Sequence, residues 1–368
     1  MSVRLTAYER STLVTSQKYI GLDVHQATVS VAVMDASGKL VMESILETKA
    51  ATILQFFSGL RGSLSVTFEE GTSAAWLYDL LKPHVSQLLV CNPRKNALLK
   101  TGNKSDRVDA RKLAELLRGN HLKPVYHGET GVRTLRELAR SYLAMVKDLT
   151  RVMSRLKAVY RSWAIPCAGR DVYYSRHRAQ WLAKLREPGV RRRAEQLYQQ
   201  LDALHRLRQQ ARQELLAESR KHSITSKLRQ IPSVGPIRAA LLVALVQTPH
   251  RFRTKRQLWA YSGLALETRT SAEYCYLEGQ LRRSKKLISI RGLNKDHNHD
   301  LKALFKAAAT RASVCPGPLQ DYYQQLLVKG IKPTMARLTL ARKIAAIALT
   351  LWKRGENFDA EKLKPQAA

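Results

Sequence analysis

The 368-residue chain is 45% hydrophobic and carries 63 Lys and Arg against 29 Asp and Glu, a formal net charge of +34. Enough apolar material is present for two or three domains with buried cores, which excludes a disordered chain, and the charge excess points to a polyanionic partner, nucleic acid first. No run of about 18 apolar residues occurs and the N-terminus (MSVRLTAYERSTLVTSQ) lacks an apolar signal segment, so a membrane is excluded as partner and a cytosolic location is expected. Cys91, Cys167, Cys275 and Cys315 are widely spaced with no C-x-x-C pair, which argues for reduced thiols over a zinc site or disulfides. The charge is uneven: residues 1–130 carry a net +4, residues 131–230 a net +15 and the remainder a net +15. Acids in the first third are therefore available for chemistry, and the other two thirds are suited to gripping phosphates.

In chain order, YIGLDVHQATVSVAVMD (19–35) and KLVMESILE (39–47) read as strands joined by an ASGK turn, and SLSVTFEE (63–70) as a third strand. SAAWLYDLLKPH (73–84) has helical spacing, QLLVCNP (87–93) returns to strand, and DRVDARKLAELLR (106–118) is helical. Strands followed by helix–strand alternation predict an α/β domain with a mixed sheet over residues 17–128. A heptad seam then runs from Leu135 through Leu138, Tyr142, Met145, Leu149, Val152, Leu156 and Val159 to Trp163, implying a helix of roughly 45 Å. A second seam from Val190 to Leu215 is interrupted at Arg208, and the pair predicts a helical coiled-coil hairpin over 129–225 that is also a candidate subunit contact. In the remaining segment, 226–358, LRQIPSVGPIRAALLVALV resembles a helix-hairpin-helix, whose turn would offer backbone N–H groups to a phosphate. The stretch from Lys332 to Gly355 reads as a further helix.

The acids of the first domain stand at informative places. Asp23 falls within the first strand, Glu69 and Glu70 end the third, and Asp106 and Asp109, three apart, share one face at the start of a helix. Four such carboxylate positions suit two Mg²⁺ ions about 4 Å apart in phosphodiester chemistry. The plainer reading makes Asp106 a helix N-cap, with Asp109 favoured by the helix dipole. Lys104, Arg107 and Arg111 beside them read as phosphate contacts.

G-L-D-V-H, F-E-E-G-T and N-K-S-D-R-V-D-A-R-K-L-A together resemble the N-terminal signature of the DEDD insertion-sequence transposases, the family that includes the Piv-type DNA invertases. L-R-Q-I-P-S-V-G-P-I and Q-L-W-A-Y-S-G-L resemble that family's C-terminal transposase domain. The resemblance implies a RuvC/RNase H-like first domain with metal ligands on Asp23, Asp106, Asp109 and either Glu69 or Glu70, Glu69 being preferred. It implies a mostly helical C-terminal transposase domain with a serine nucleophile, which falls on Ser271 in A-L-E-T-R-T-S-A-E-Y, followed by Ala272 where the family has Gly. Thr270 and Ser262 are its nearest competitors. Arg269, Arg282, Arg283, Lys285 and Lys286 would then neutralise the scissile phosphate. The resemblance further implies donor and target DNA as substrates, a structured non-coding bridge RNA as guide, a homo-oligomer (dimer or tetramer) and work at the bacterial nucleoid. Two other readings compete: a RuvC-like nuclease of branched DNA without a serine intermediate, and a non-catalytic nucleic-acid-binding protein whose aspartates are caps. His297 and His299 in N-K-D-H-N-H-D do not share a helix face and read as a polar loop.

Overall fold

The structure, a computed structural model, describes residues 16–96, 105–127, 130–269, 274–277, 279–283 and 289–363. The chain divides into two compact units, Met1–His127 and Gly128–Ala368. Among the described residues no helix is long and apolar enough to cross a membrane.

In the first unit, β1 (Gln17–Val24), β2 (Thr28–Asp35), β3 (Leu40–Glu47), β4 (Ser63–Glu69) and β5 (Gln87–Cys91) form one sheet in the order β3-β2-β1-β4-β5. The first three strands are an antiparallel meander, and β4 and β5 join parallel to β1. The mixed sheet expected from the sequence is therefore present, with one correction. The run 19–35, read as one strand, is a hairpin broken at His25–Ala27, where the His25 N–H donates to Thr28 O at 2.9 Å. Seventeen extended residues would span roughly 56 Å, far beyond a usual strand, and folding back lets Val29, Val31 and Val33 enter the same core as Ile20 and Leu22. The break also moves Asp23 from mid-strand to the penultimate position of β1.

Helix α1 (Ala50–Ser58), missed in the sequence reading, makes the crossover that a parallel β4 requires, and Ile53 and Phe57 are its buried contacts. With α2 (Ala74–Leu81) it covers one face of the sheet, packing on Ile20, Leu22, Val66 and Phe68. Helix α3 (Asp106–Arg118) covers the other face, burying Ala110, Leu113, Ala114 and Leu117 at helical spacing. Strand alternation puts Gly21 and Asp23 on the α3 side, since Ile20 and Leu22 face α1 and α2. Gly21 is required there. A Cβ at this position would lie 2.1 Å from Ala110 O and 2.6 Å from Ala114 N, so the helix backbone rests directly on the strand.

In the second unit α4 (Arg133–Ser162) packs along α5 (Pro188–Ser219). Leu135 and Ala139 share a core with Leu215, while Val159 and Tyr160 share one with Ala194, Leu197 and Tyr198, so the two helices run antiparallel. The buried hydroxyls of Tyr160 and Tyr198 are 3.1 Å apart, and the Tyr198 hydroxyl donates to Val172 O at 2.9 Å. Trp163, placed on the seam by the heptad pattern, lies past the helix end and is 49% exposed.

The C-terminal helices α6 (Pro236–Val246), α7 (Lys255–Tyr261), α8 (His299–Ala312), α9 (Pro318–Val328) and α10 (Pro333–Arg354) bury one large core, which also takes in the α4–α5 ends. Four short strands, absent from the sequence reading, interrupt them: β6 (Leu266–Arg269) pairs with β9 (Ser289–Leu293), and β7 (Tyr274–Leu277) with β8 (Gln280–Arg283). Cys91 and Cys167 are buried, and neither they nor Cys315 is in a disulfide.

Gly21→Ala drives a methyl group into the α3 backbone and is expected to destabilise the first unit by about 2–3 kcal/mol, read as a lower denaturant midpoint. An unchanged midpoint would remove the close approach from the account.

Candidate active site

The site forms where β1, β4 and α3 end or begin. Ser105 is the N-cap of α3, its hydroxyl accepting from the Val108 N–H at 3.3 Å, and Asp106 is the first helical residue. The capping role considered for Asp106 therefore belongs to Ser105. Asp106 and Asp109 still gain from the positive end of the helix, and their side chains are left for other partners.

The Gly21 contact draws the start of α3 against the end of β1. Asp23, His25 and Asp106 each offer one ligand atom, and all three atoms lie within 4.8 Å of one another. His25 Nε2 is 3.1 Å from Asp23 Oδ2 and 3.6 Å from Asp106 Oδ1. Neighbouring ligands of an octahedral cation at about 2.1 Å stand about 3.0 Å apart, so the spacing suits a divalent ion. The Asp23 side chain is 19% exposed and that of Asp106 58%, which gives one sheltered carboxylate and one open to solvent. The donor set, two hard carboxylates and an imidazole, fits a divalent cation. His25, part of the G-L-D-V-H motif, is a member of the cluster that the sequence reading misses. Its signal was the i, i+2 spacing from Asp23 across a strand end.

The two glutamates separate clearly. Glu69 lines a cavity of about 470 Å³ together with Val24, His25, Gln26 and Thr72, and one of its carboxylate oxygens is shielded from solvent. Glu70 Oε2 instead lies 2.6 Å from Nε2 of His127, a ring that is 7% exposed and stacks on Tyr78 with centroids 4.9 Å apart. Asp109 stands half-buried one turn along α3 from Asp106 and is not part of the three-residue cluster.

The flanking cations also divide. Arg111 makes a two-pronged ion pair with Glu43 of β3, both N–O distances being 2.5 Å. That hydrogen-bonded guanidinium holds the Glu43 carboxyl below its usual range and raises Arg111 in turn. Arg107 is exposed, and Lys104 lies outside the described residues.

In the second unit Ser271, Thr270, Lys285 and Lys286 also lie outside the described residues, as do the side chains of Arg269 and Arg283. Arg282 is exposed on β8. Ser262 is fully buried, its hydroxyl donating to Leu258 O at 2.7 Å, which removes it as a rival nucleophile. In the N-K-D-H-N-H-D segment Asn298 is the N-cap of α8, accepting from the Leu301 N–H at 3.0 Å, so this loop has a structural task. The basic excess is visible on α4, where Arg136, Arg140, Lys147 and Arg151 line a cavity of about 380 Å³.

A β3-β2-β1-β4-β5 sheet with acids at the end of β1 and the start of the helix on its face fits a RuvC-like domain of the DEDD type. Residues 20–163 match the IS110-type DEDD transposase model, and residues 225–324 match the model described as transposase of the IS116/IS110/IS902 family. The chain belongs to this family of insertion-sequence transposases, whose activity is DNA strand transfer. It is 24% identical over 381 residues to the insertion element IS116 uncharacterized 44.8 kDa protein of Streptomyces clavuligerus, covering 88% of this chain and 92% of that relative.

Glu69→Gln is expected to weaken Mn²⁺ binding at least tenfold by titration calorimetry. Glu70→Gln is expected to leave that affinity within about twofold and to lower thermal stability through loss of its His127 partner. The reverse pattern would exchange the two assignments.

Proposed function

We propose that this chain cuts and rejoins DNA when an insertion sequence moves, using a Mg²⁺ site on Asp23, Glu69, Asp106 and Asp109 and a serine nucleophile, Ser271. The observation that carries the reading is the convergence of Asp23 and Asp106, 83 residues apart in the chain, on one imidazole within a RuvC-like sheet. The bound cation would offset phosphate charge and assist the reacting oxygens. The protein's own part is orientation. Asp23 is fixed by β1 and Asp106 by the first turn of α3, while His25 Nε2 lies 3.1 Å from Asp23 and 3.6 Å from Asp106, at the point where the two carboxylates meet. Glu69, at the end of the neighbouring strand, completes the set from the cavity side.

Ser271 Oγ attacks the scissile phosphorus. The new serine O–P bond forms as the bond to the leaving deoxyribose oxygen breaks, and the proton lost by the serine hydroxyl is balanced by the one that oxygen takes up. A strand-end hydroxyl then attacks the phosphoserine, restores the serine and makes the new junction. One phosphodiester is exchanged for another, so no energy source or redox partner is required. Arg269, Arg282, Arg283, Lys285 and Lys286, clustered in sequence around the serine, are assigned to the phosphates, as are Lys104 and Arg107 near the carboxylates.

A structured non-coding bridge RNA is assigned as the guide that pairs with donor and target DNA. The net +30 of residues 131–368 supports a second polyanion beside the DNA. The α4–α5 hairpin is assigned as the coiled coil that joins subunits into a dimer or tetramer. The P-x-x-G-P turn before α6 is read as a helix-hairpin-helix phosphate seat.

Ser271→Ala is expected to keep DNA and metal binding while abolishing both strand joining and the covalent protein–DNA adduct seen on a denaturing gel. Metal-dependent cleavage that persists unchanged in Ser271→Ala would instead establish a water-using nuclease.

A further inference from the structure

Among the described residues the hairpin of β7 and β8 forms its own two-stranded sheet, separate from that of β6 and β9. Tyr276 and Leu281 are direct cross-strand partners, so their side chains lie together on one face. They are 76% and 60% exposed. A two-stranded ribbon is marginal by itself, and an adjacent aromatic and aliphatic pair left in water is a loss of stability that a partner would recover.

The chemistry of that partner follows from charge. Residues 274–293 contain five cations, Arg282, Arg283, Lys285, Lys286 and Arg291, and one acid, Glu278. Arg282, exposed, follows Leu281 and its side chain turns to the opposite face of the ribbon, where Nη2 donates to Gln280 Oε1 at 3.4 Å. Gly279, in the turn, has a φ of +75°, and no atom lies within 4 Å of where its Cβ would stand. The ribbon thus presents an apolar pair on one face and Arg282 on the other. A base plane beside a phosphodiester is the ligand that matches both, because every nucleobase has a flat apolar surface next to a fixed negative charge. An apolar protein surface would match the first face and not the second.

We propose that the β7–β8 hairpin is a stacking finger, in which Tyr276 and Leu281 take up an unstacked nucleobase of a bound strand and Arg282 meets its phosphate. The proposal rests on the reading of this chain as a nucleic-acid strand-transfer enzyme and adds a base contact to it. Side-chain insertion of this kind is a general way of holding a strand distorted.

The test uses the full-length protein without divalent metal, so that no strand is cut. Two probes are compared: a DNA duplex with 2-aminopurine at an unpaired position, and an RNA hairpin with 2-aminopurine in its loop. Binding by anisotropy and 2-aminopurine fluorescence are followed over a salt series. The native protein is expected to quench at least one probe by stacking. Tyr276→Ala is expected to relieve the quench and weaken binding about tenfold with an unchanged salt slope, while Tyr276→Phe behaves as the native protein. Arg282→Ala is expected to lower the salt slope by about one. Quenching of the DNA probe assigns the finger to the DNA strand, and quenching of the RNA probe alone assigns it to the guide. Tyr276 is exposed, so its alanine variant is expected to melt like the native protein, which removes misfolding as an explanation. Equal binding and equal quenching of both probes by native protein and Tyr276→Ala would overturn the proposal. The strand-transfer reading would survive that result if the native protein still joined DNA when supplied with Mg²⁺.

Discussion

The first unit depends on one contact, the backbone of α3 laid against β1 at Gly21. Any side chain there would meet Ala110 O at 2.1 Å, closer than bonded neighbours two atoms apart normally stand, so the helix and strand could not share this spacing. Because Asp23 is two residues beyond Gly21 and Asp106 is one turn before Ala110, the same contact sets the separation of the two carboxylates. Ser105 completes the arrangement by capping the helix at the residue before Asp106. Sheet packing, helix start and carboxylate spacing are thus consequences of a missing methyl group.

Charge is divided between the units in a way that suits the chemistry. A carboxylate cluster among many cations would lose its acids to ion pairs, as Glu43 is held by Arg111. Residues 1–130 are near neutrality, which leaves Asp23 and Asp106 few cationic neighbours in sequence, and the large positive excess sits in residues 131–368. Glu70 illustrates the local alternative, a carboxylate whose position is set by the buried His127.

The sequence was most legible where periodicity or element order spoke. Strand alternation and helix spacing revealed the mixed sheet, α3, and the long helices from Arg133 and Pro188. It was least legible where a single local hydrogen bond or steric contact decides. The turn at His25–Ala27 carries no Gly or Pro, so β1 and β2 read as one strand. Asp and Ser cap equally well, so the sequence alone does not separate Ser105 from Asp106 as the cap, and the backbone angles at Ser105 do. His25 acquires its place from a strand end that periodicity does not mark. Glu69 and Glu70 are adjacent and chemically equivalent in sequence, yet alternation sends one to the cavity beside His25 and the other to His127. The short strands β6 to β9 are four or five residues each, too brief for a periodic signal.

The central claim is that Asp23 and Asp106 hold a divalent cation between them. Anomalous diffraction from crystals of the protein equilibrated with Mn²⁺ tests it most directly. The account requires an anomalous peak within coordination distance, about 2.2 Å, of a carboxylate oxygen from each aspartate. Saturating Mn²⁺ with no peak there, or with a peak that touches neither aspartate, would contradict it.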